Sequence, residues 1–140
     1  MGVNSIILHF LFDSSTTLFT NPFSHTTAVF LKEPAKKVGG YGNWHYAEDW
    51  DLWLKLGEIG KFYNFPEYFT CYLMAEQGAS FIYQRPQSKI ILQIIKKNCR
   101  HYPNFWAAYF FNVGQYFYSF LPLTLRGLLH PILSNFKRSI

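Results

Sequence analysis

The most regular apolar pattern of this 140-residue chain falls at residues 47–59, which predict an amphipathic helix ended by Gly60. When these residues are placed at about 100° intervals around a helix axis, one stripe is polar and the remaining arc is apolar. Asp49 is the exception, because it falls within the apolar arc, between Trp53 and Leu56. We therefore expect this helix to turn one carboxylate toward the core. The polar stripe consists of Glu48, Asp51, Lys55 and Glu58.

Asp49 needs a physical reason to lie on that arc, because burying an unpaired carboxylate costs several kcal/mol. One reason is capping, in which its side chain accepts hydrogen bonds from the free backbone N–H groups of the first turn. The other is a cleft, in which Asp49 takes a proton from a substrate. The two are compatible, since a helix N-terminus also stabilises a carboxylate. Asp49 and Asp51 spell D-x-D, but residues two apart on a helix point to opposite sides, so we do not expect them to share a cation.

The first 80 residues predict a small mixed α/β unit. Residues 26–31 are β-branched and apolar, which predicts a strand. Pro34 starts a single short helical turn that Gly39 ends. Two short strands, broken at Pro66, are predicted over residues 61–74.

The remainder of the chain has helical spacing throughout. Prolines at positions 103 and 122 divide it, because proline interrupts a helix. The predicted fold class is therefore α/β, with a few strands and the helix of residues 47–59, followed by an all-helical tail. We divide the chain into residues 1–80 and 81–140. The tail helices are predicted at about 87–101, 104–120 and 123–135.

A series of short motifs over residues 20–80 resembles the C-terminal part of the catalytic domain of bacterial family 2 glycosyltransferases. That family has a His-x-Thr-like strand start, a Gly-Gly-Tyr turn, an E-D-x-x-L-W-x-[KR]-L helix, a Gly-[KR] turn, an Asn-x-Pro-Glu segment and a Tyr-containing strand. Each motif is weak alone, and their combination in this order is specific. Here they fall at His25 to Phe30, Gly39 to Tyr41, Glu48 to Leu56, Gly60-Lys61, Asn64 to Glu67 and Tyr72.

The resemblance implies a GT-A fold and an inverting transfer of a sugar from a nucleotide-sugar donor. In that family the Asp of the E-D motif deprotonates the acceptor hydroxyl, and the matching residue here is Asp49. The resemblance further places Trp44 to stack on an acceptor sugar, His25 to line the same cleft and Glu48 to orient an acceptor hydroxyl or a loop. Packing in the core is the alternative role for Trp44 and His25.

The resemblance does not extend to the nucleotide-binding half of the family. No counterpart of its strand–helix repeats, or of the strand-borne D-x-D, precedes residue 20. Leu73 and Ala75 also stand where the family often has Arg and His. The complete enzyme is expected to use a divalent metal, Mg²⁺ or Mn²⁺, whose ligands would lie outside this chain. The chain alone is therefore expected to be an incomplete, inactive, acceptor-side piece.

Charge is divided unevenly along the chain. All eight acids lie between Asp13 and Glu76, whereas residues 77–140 hold eight Lys or Arg residues and no acid. From Arg100 to Arg126 lies an uncharged run rich in Phe and Tyr. Because basic residues alternate with apolar runs, an anionic membrane surface is a better partner than nucleic acid. The tail predicts an interfacial helical hairpin, with a soluble helical cap and a membrane span as alternatives.

These observations predict a glycosyltransferase fragment that acts on a saccharide or lipid-linked acceptor in surface polysaccharide biosynthesis. The alternative is a non-catalytic membrane-surface or partner-binding module derived from such an enzyme. The apolar patch at residues 5–12 lacks the flanks of a signal peptide. Cys71 and Cys99 are isolated, as reduced thiols of a cytosolic protein are. We therefore expect a cytoplasmic protein at the inner face of the cell membrane.

Overall fold

A computed structural model describes residues 11–12, 14–65, 67, 69–71, 82–98, 102–122 and 124–129. Short helices and strands follow one another along these residues. They are β1 (Leu11–Phe12), two 3-10 helices (Ser14–Leu18 and His25–Thr27), α1 (Lys32–Lys37), α2 (Glu48–Gly57), β2 (Phe62–Tyr63), α3 (Gln84–Lys97) and α4 (Phe105–Tyr118). Residues 124–129 are also helical.

The described residues are mostly helical, so the predicted α/β fold of the GT-A type is wrong. Within them the one strand pairing joins β1 to β2 in antiparallel register, with Leu11 opposite Tyr63 and Phe12 opposite Phe62. A ladder of this size cannot hold a helix layer on each face, because independent sheets need three or more strands over a hydrophobic face. The core must therefore be built from helices.

The strand predicted at residues 26–31 does not form. His25–Thr27 is a 3-10 turn, and residues 28–31 pair with no strand among the described residues. Val29 is 97% exposed and Leu31 is 75% exposed. Strand propensity is expressed where a neighbouring strand and a buried face exist, and the described part of the chain offers this segment neither. Of the two strands predicted over residues 61–74, β2 forms, residues 69–71 are irregular, and 72–74 lie outside the described residues.

The short helical turn around Pro34 is confirmed as α1. It ends in two glycines with positive φ, +86° at Gly39 and +63° at Gly40, a conformation that side chains disfavour. The Gly40 amide donates to the Ala35 carbonyl oxygen at 2.8 Å, which satisfies one of the free carbonyls of the helix end. The chain thereby reverses and enters the segment before α2.

Helix α2 confirms the helix predicted at residues 47–59 and is buried on two sides, because two hydrophobic clusters share it. Asp51 belongs to the stripe predicted to be polar, yet its side chain is buried and 0% exposed. A helical wheel identifies the residues that share a face, but it does not show whether a neighbouring segment covers that face. The first cluster contains Leu18, Ala47, Trp50, Leu54, Ile94, Ile95, Tyr102 and Ala108, and the second Ala35, Leu52, Trp53 and Leu56.

Helices α3 and α4 form an antiparallel hairpin, which confirms the helical prediction for this part of the tail. The start of α3 meets the end of α4, where Arg85 Nε donates to the Ser119 carbonyl oxygen at 3.1 Å. Arg126 Nη1 donates to Gln84 Oε1 at 2.8 Å and ties residues 124–129 to the same end. Among the described residues, no helix combines the length and apolarity that crossing a bilayer requires.

The hairpin packs on the first part of the chain. The Tyr102 hydroxyl donates to the Leu54 carbonyl oxygen in α2. Asn112 Nδ2 donates to the Leu18 carbonyl oxygen at 3.0 Å, and Gln87 Nε2 donates to the Tyr46 carbonyl oxygen at 2.7 Å. These bonds place the polar face of the hairpin opposite the N-terminus of α2.

Candidate functional site

A groove of about 1010 Å³ lies between the hairpin and the N-terminus of α2. Three parts of the chain line it: residues 19–26, residues 42–50, and the facing sides of α3 and α4. The structure brings all the predicted site residues to this one groove. They are Asp49, Glu48, Trp44 and His25.

Asp49 is half-buried in the first turn of α2, and both its carboxylate oxygens have partners. Oδ1 accepts the backbone N–H of Trp50 at 2.8 Å, and Oδ2 accepts a hydrogen bond from Asn21 Nδ2 at 2.9 Å. The first bond satisfies one of the free N–H groups of the helix start, as capping requires. Each oxygen can accept a further hydrogen bond, so Asp49 serves the helix end and is also open to a ligand hydroxyl.

Asp51 has a different environment from Asp49. Lys55 Nζ lies 2.6 Å from Asp51 Oδ2, and Lys97 Nζ lies 3.6 Å from Asp51 Oδ1. Asp51 also does not line the groove. The two carboxylates of the D-x-D sequence thus have separate partners on separate sides of α2, as their helical spacing predicts.

Trp44 is half-buried, and its position is set by close contacts with the loop and with α3. A Cβ atom at Gly42 would lie 2.5 Å from Trp44 Cδ1 and 2.5 Å from Asp51 Oδ2, so only glycine fits there. Lys97 Nζ lies 5.5 Å from the Trp44 ring centroid, within the range of a cation–π contact. The indole therefore packs beside the first core cluster and presents its remaining surface to the groove.

His25 and Glu48 complete the predicted set. His25 is exposed, and its Nε2 lies 2.9 Å from the Tyr41 hydroxyl, so it is not a core histidine. Its ring centroid also lies 6.3 Å from that of Trp53. Glu48 is half-buried at the groove and has no hydrogen bond or ion pair within the described part of the chain.

Sequence reasoning missed the amides that line the rest of the groove. Asn21 holds Asp49, and the hairpin contributes amide side chains from both helices. The available signal was their spacing, since polar residues three apart on a helix share a face. These hairpin amides are Gln84 and Gln87 on α3, and Asn112 and Gln115 on α4.

Tyr46 forms the edge of the groove in an unusual backbone conformation. Its φ is +68°, a region that side chains disfavour. Its ring stacks on that of Tyr83, with centroids 4.4 Å apart and planes at 11°. Burial of its hydroxyl raises the pKa of Tyr46, and the charge and hydrogen bond of Tyr83 raise it further. The bond from Gln87 to the Tyr46 carbonyl oxygen holds this conformation against α3.

The groove suits an uncharged, hydroxyl-rich ligand. It is lined by two carboxylates and several amides, and no Lys or Arg of the described residues lines it. Proteins bind phosphate groups with cationic side chains, metal ions or the backbone N–H groups of a helix N-terminus. Here Glu48 and Asp49 place two negative charges at the N-terminus of α2, and they would repel a phosphate group. The groove thus does not fit the diphosphate of a nucleotide sugar.

The described residues do not fit the divalent metal that the resemblance implies. Within those ranges, no group of three or more His, Cys, Asp or Glu side chains is arranged to hold a metal ion. Asp51 is paired with two lysines, so of the two carboxylates in the D-x-D sequence only Asp49 has room for a further ligand. Metal ligands supplied by another part of the enzyme stay a prediction.

Comparisons of the chain with models of protein families, with curated proteins and with solved structures give no match. The similarity to family 2 glycosyltransferases therefore stays an interpretation of the motifs at residues 20–80.

Proposed function

We propose that the groove binds the acceptor saccharide of an inverting glycosyl transfer and that Asp49 is the general base. One observation carries the proposal. The carboxylate that matches the E-D motif lies in an open groove, held by Asn21, with an indole and a set of amides around it.

The lining of the groove matches the chemistry of a sugar. Sugar hydroxyls both donate and accept hydrogen bonds, and carboxylates and amides together offer both functions. The apolar face of a pyranose ring packs on aromatic rings, and Trp44 offers such a surface beside Asp49. The cavity volume is at the upper end of the range of small-molecule sites, which accommodates an oligosaccharide of a few residues.

The proposed chemistry uses Asp49 as a proton acceptor. A hydroxyl of the bound acceptor donates a hydrogen bond to Asp49, which takes its proton as the hydroxyl oxygen attacks the anomeric carbon. The bond from that carbon to the nucleoside diphosphate breaks, the electron pair leaves with the diphosphate, and the configuration inverts. Asn21 keeps the carboxylate oriented toward the groove by its bond to Oδ2. The donor site lies outside the described groove, which has no cation for it.

This role places the chain at the cytoplasmic face of the cell membrane, with a saccharide or lipid-linked acceptor of surface polysaccharide biosynthesis. The motifs resemble a bacterial family, in which a donor supplied from the cytoplasm would meet its acceptor on that side of the membrane. The alternative function, a non-catalytic module at a membrane surface, is supported by the outer face of the hairpin.

The binding step is tested on the chain as it exists. A panel of neutral di- to tetrasaccharides is titrated while saturation-transfer NMR and tryptophan fluorescence are recorded. We expect at least one member to bind, and Trp44→Ala to weaken its affinity at least tenfold. Trp106→Ala is the matched control, because it removes an exposed indole outside the groove. Binding by no saccharide, or equal binding by the Trp44 variant, overturns the proposal.

The base role is tested once the rest of the enzyme supplies the nucleotide sugar. Asp49→Asn keeps the shape of the side chain but cannot take a proton at neutral pH. We expect sugar transfer to fall at least a hundredfold, since a positioned base contributes about 10²–10⁴-fold. Acceptor binding should change far less. Unchanged turnover in a folded Asp49→Asn enzyme removes the base assignment and leaves the saccharide site intact.

A further inference from the structure

Helix α4 turns a row of aromatic side chains outward. Trp106 is 67% exposed, Phe110 65%, Phe117 64%, and Phe120, just beyond the helix, 50%. They are spaced four, seven and three residues apart, so they share one face of the helix. Exposed aromatic rows of this kind mark a surface that has a partner. The opposite side of the helix packs against the core through Ala108.

A basic row on α3 runs beside the aromatic row. Arg85, Lys89 and Lys96 are exposed and are spaced four and seven residues apart on one face. The Arg85 guanidinium carbon lies 4.9 Å from the Phe120 ring centroid, so the rows touch at that end. At the other end, Lys96 and Trp106 both lie next to the connection between the helices. The outer face of the hairpin is therefore half aromatic and half cationic.

No negative charge offsets this face from within the hairpin. The sequence has no Asp or Glu anywhere between residues 77 and 140. A surface that combines aromatic rings, cations and no acids is complementary to an anionic lipid headgroup layer. A second copy of the same face would bring like charges together. A nucleic-acid double helix offers phosphates and groove edges, so it would leave the phenyl rings without a partner.

We propose that the outer face of the α3–α4 hairpin docks on an anionic membrane surface. The aromatic side chains enter the headgroup region, and the three cations contact acidic lipids. The helices lie along the surface. Membrane docking is inferred from the outer face of the hairpin alone and is independent of the saccharide groove. Its experiments involve no saccharide, so either proposal can fail without the other.

Trp106 provides a direct signal for this docking. Of the four tryptophans, Trp50 and Trp53 are buried and Trp44 is half-buried, whereas Trp106 is 67% exposed. The full chain is mixed with vesicles of phosphatidylcholine, with or without 30 mol% phosphatidylglycerol. We expect co-sedimentation and a blue shift of tryptophan emission with the anionic vesicles only. The blue shift should vanish in Trp106→Phe, while sedimentation persists.

Charge removal tests the cationic row. Lys89→Gln with Lys96→Gln should lower the vesicle partition coefficient about 30-fold, at about fivefold per charge. The control is Lys32→Gln with Lys61→Gln, which removes two exposed lysines outside the hairpin and should change partitioning less than twofold. Raising salt from 0.05 to about 0.5 M should release the wild-type chain, since it shortens the screening length several-fold.

Removal of exposed rings tests the aromatic row. Phe110→Ser with Phe117→Ser should lower partitioning at least tenfold, whereas Phe65→Ser with Phe69→Ser, two exposed rings elsewhere, should not. Circular dichroism checks that each variant is folded.

Four results overturn the docking proposal. They are equal binding to neutral vesicles, insensitivity to the hairpin variants, a dimer in solution that buries Trp106 from quencher, and salt-sensitive binding of RNA or DNA in place of vesicles.

Discussion

Asn21 Nδ2 donates a hydrogen bond to Asp49 Oδ2 at 2.9 Å, across 28 residues of sequence. The Asn21 side-chain oxygen accepts the Phe23 backbone N–H at 3.2 Å, so its amide is held at both ends. The loop before the second 3-10 helix thus fixes the carboxylate proposed as the base. In the proposed function Asn21 is a positioning residue, since it would act on a ligand through Asp49.

Asn21→Ala should lower the free energy of unfolding by about 1 kcal/mol, the usual cost of one lost hydrogen bond. It should also weaken binding of the saccharide identified for the groove several-fold, because Asp49 is no longer oriented. Urea unfolding and saturation-transfer NMR measure the two effects. Asn64→Ala, which changes an asparagine outside the groove, is the control. Loss of stability with unchanged saccharide affinity would reduce Asn21 to a structural role.

Gly42→Ala should destabilise the fold and displace Trp44. The added Cβ would lie 2.5 Å from both Trp44 Cδ1 and Asp51 Oδ2, and overpacking of this kind costs about 1–3 kcal/mol. Thermal unfolding measures the loss, and a changed Trp44 signal in NMR spectra reports the displacement. Gly114→Ala is the control, because nothing lies within 4 Å of its new Cβ and alanine favours a helix by about 0.5–1 kcal/mol. Equal stability of the two variants would contradict the packing described here.

Asp51→Ala should cost about 3–5 kcal/mol, because it leaves the ammonium of Lys55 without its buried partner. In this variant Lys55 Nζ still donates a hydrogen bond to the Gly40 carbonyl oxygen, at 3.1 Å. That acceptor is neutral and does not replace the charge of Asp51. Asp51→Asn keeps the volume and should lose less. The exposed pair of Glu33 and Lys36 is the control, since Glu33→Ala should cost no more than about 1 kcal/mol. Urea unfolding that ranks Glu33→Ala at or above Asp51→Ala would refute the buried pair.

Tyr46 should make stability depend on alkaline pH. Burial, and then Tyr83, raise its pKa above the ordinary 10.0 in the folded state. A group with a raised folded pKa gives stability that is complete below the unfolded value and is lost as pH rises through the folded value. The loss is therefore expected above pH 10, as Tyr46 ionises. The free energy of unfolding of Tyr46→Phe should fall less steeply with pH in that range. Tyr83→Phe should lower the pKa of Tyr46. Urea unfolding at a series of pH values measures the first effect. Because the chain has ten tyrosines, the pKa of Tyr46 is taken from the difference in tyrosinate absorbance between chains with and without Tyr46→Phe. A Tyr46 titration unaffected by Tyr83→Phe would contradict the stacked pair.

The helical elements were predictable because their signals are local. Proline breaks and apolar spacing placed α3 and α4 within a few residues, and a Gly-Gly pair placed the end of α1. The sheet was not predictable, since strand-like residues at 26–31 had no partner to pair with in the described chain. The burial of Asp51 was not predictable for a similar reason. A helical wheel does not show that Gly42 and Lys97 cover the face of α2 that carries Asp51.

The groove was predictable in part. The motif order predicts roles for Asp49, Glu48, Trp44 and His25; those roles stay a prediction, and the structure shows that all four residues line one groove. The spacing of the hairpin amides shows that each pair shares a helix face, but contacts between distant parts of the chain bring these amides and Asn21 to that groove, and no local pattern encodes those contacts. The hairpin was described from sequence as a membrane-surface element, and its inner amide face was not recognised.

The thickness of a single helix separates the two proposed surfaces. On α4, Asn112 and Gln115 face the groove, and they lie roughly opposite Trp106, Phe110 and Phe117 on the helix circumference. A helix with its side chains is about 10–12 Å across. If both proposals hold, a sugar chain anchored to a lipid would meet Asp49 a short distance above the headgroups, and its lipid anchor could stay in the bilayer during transfer.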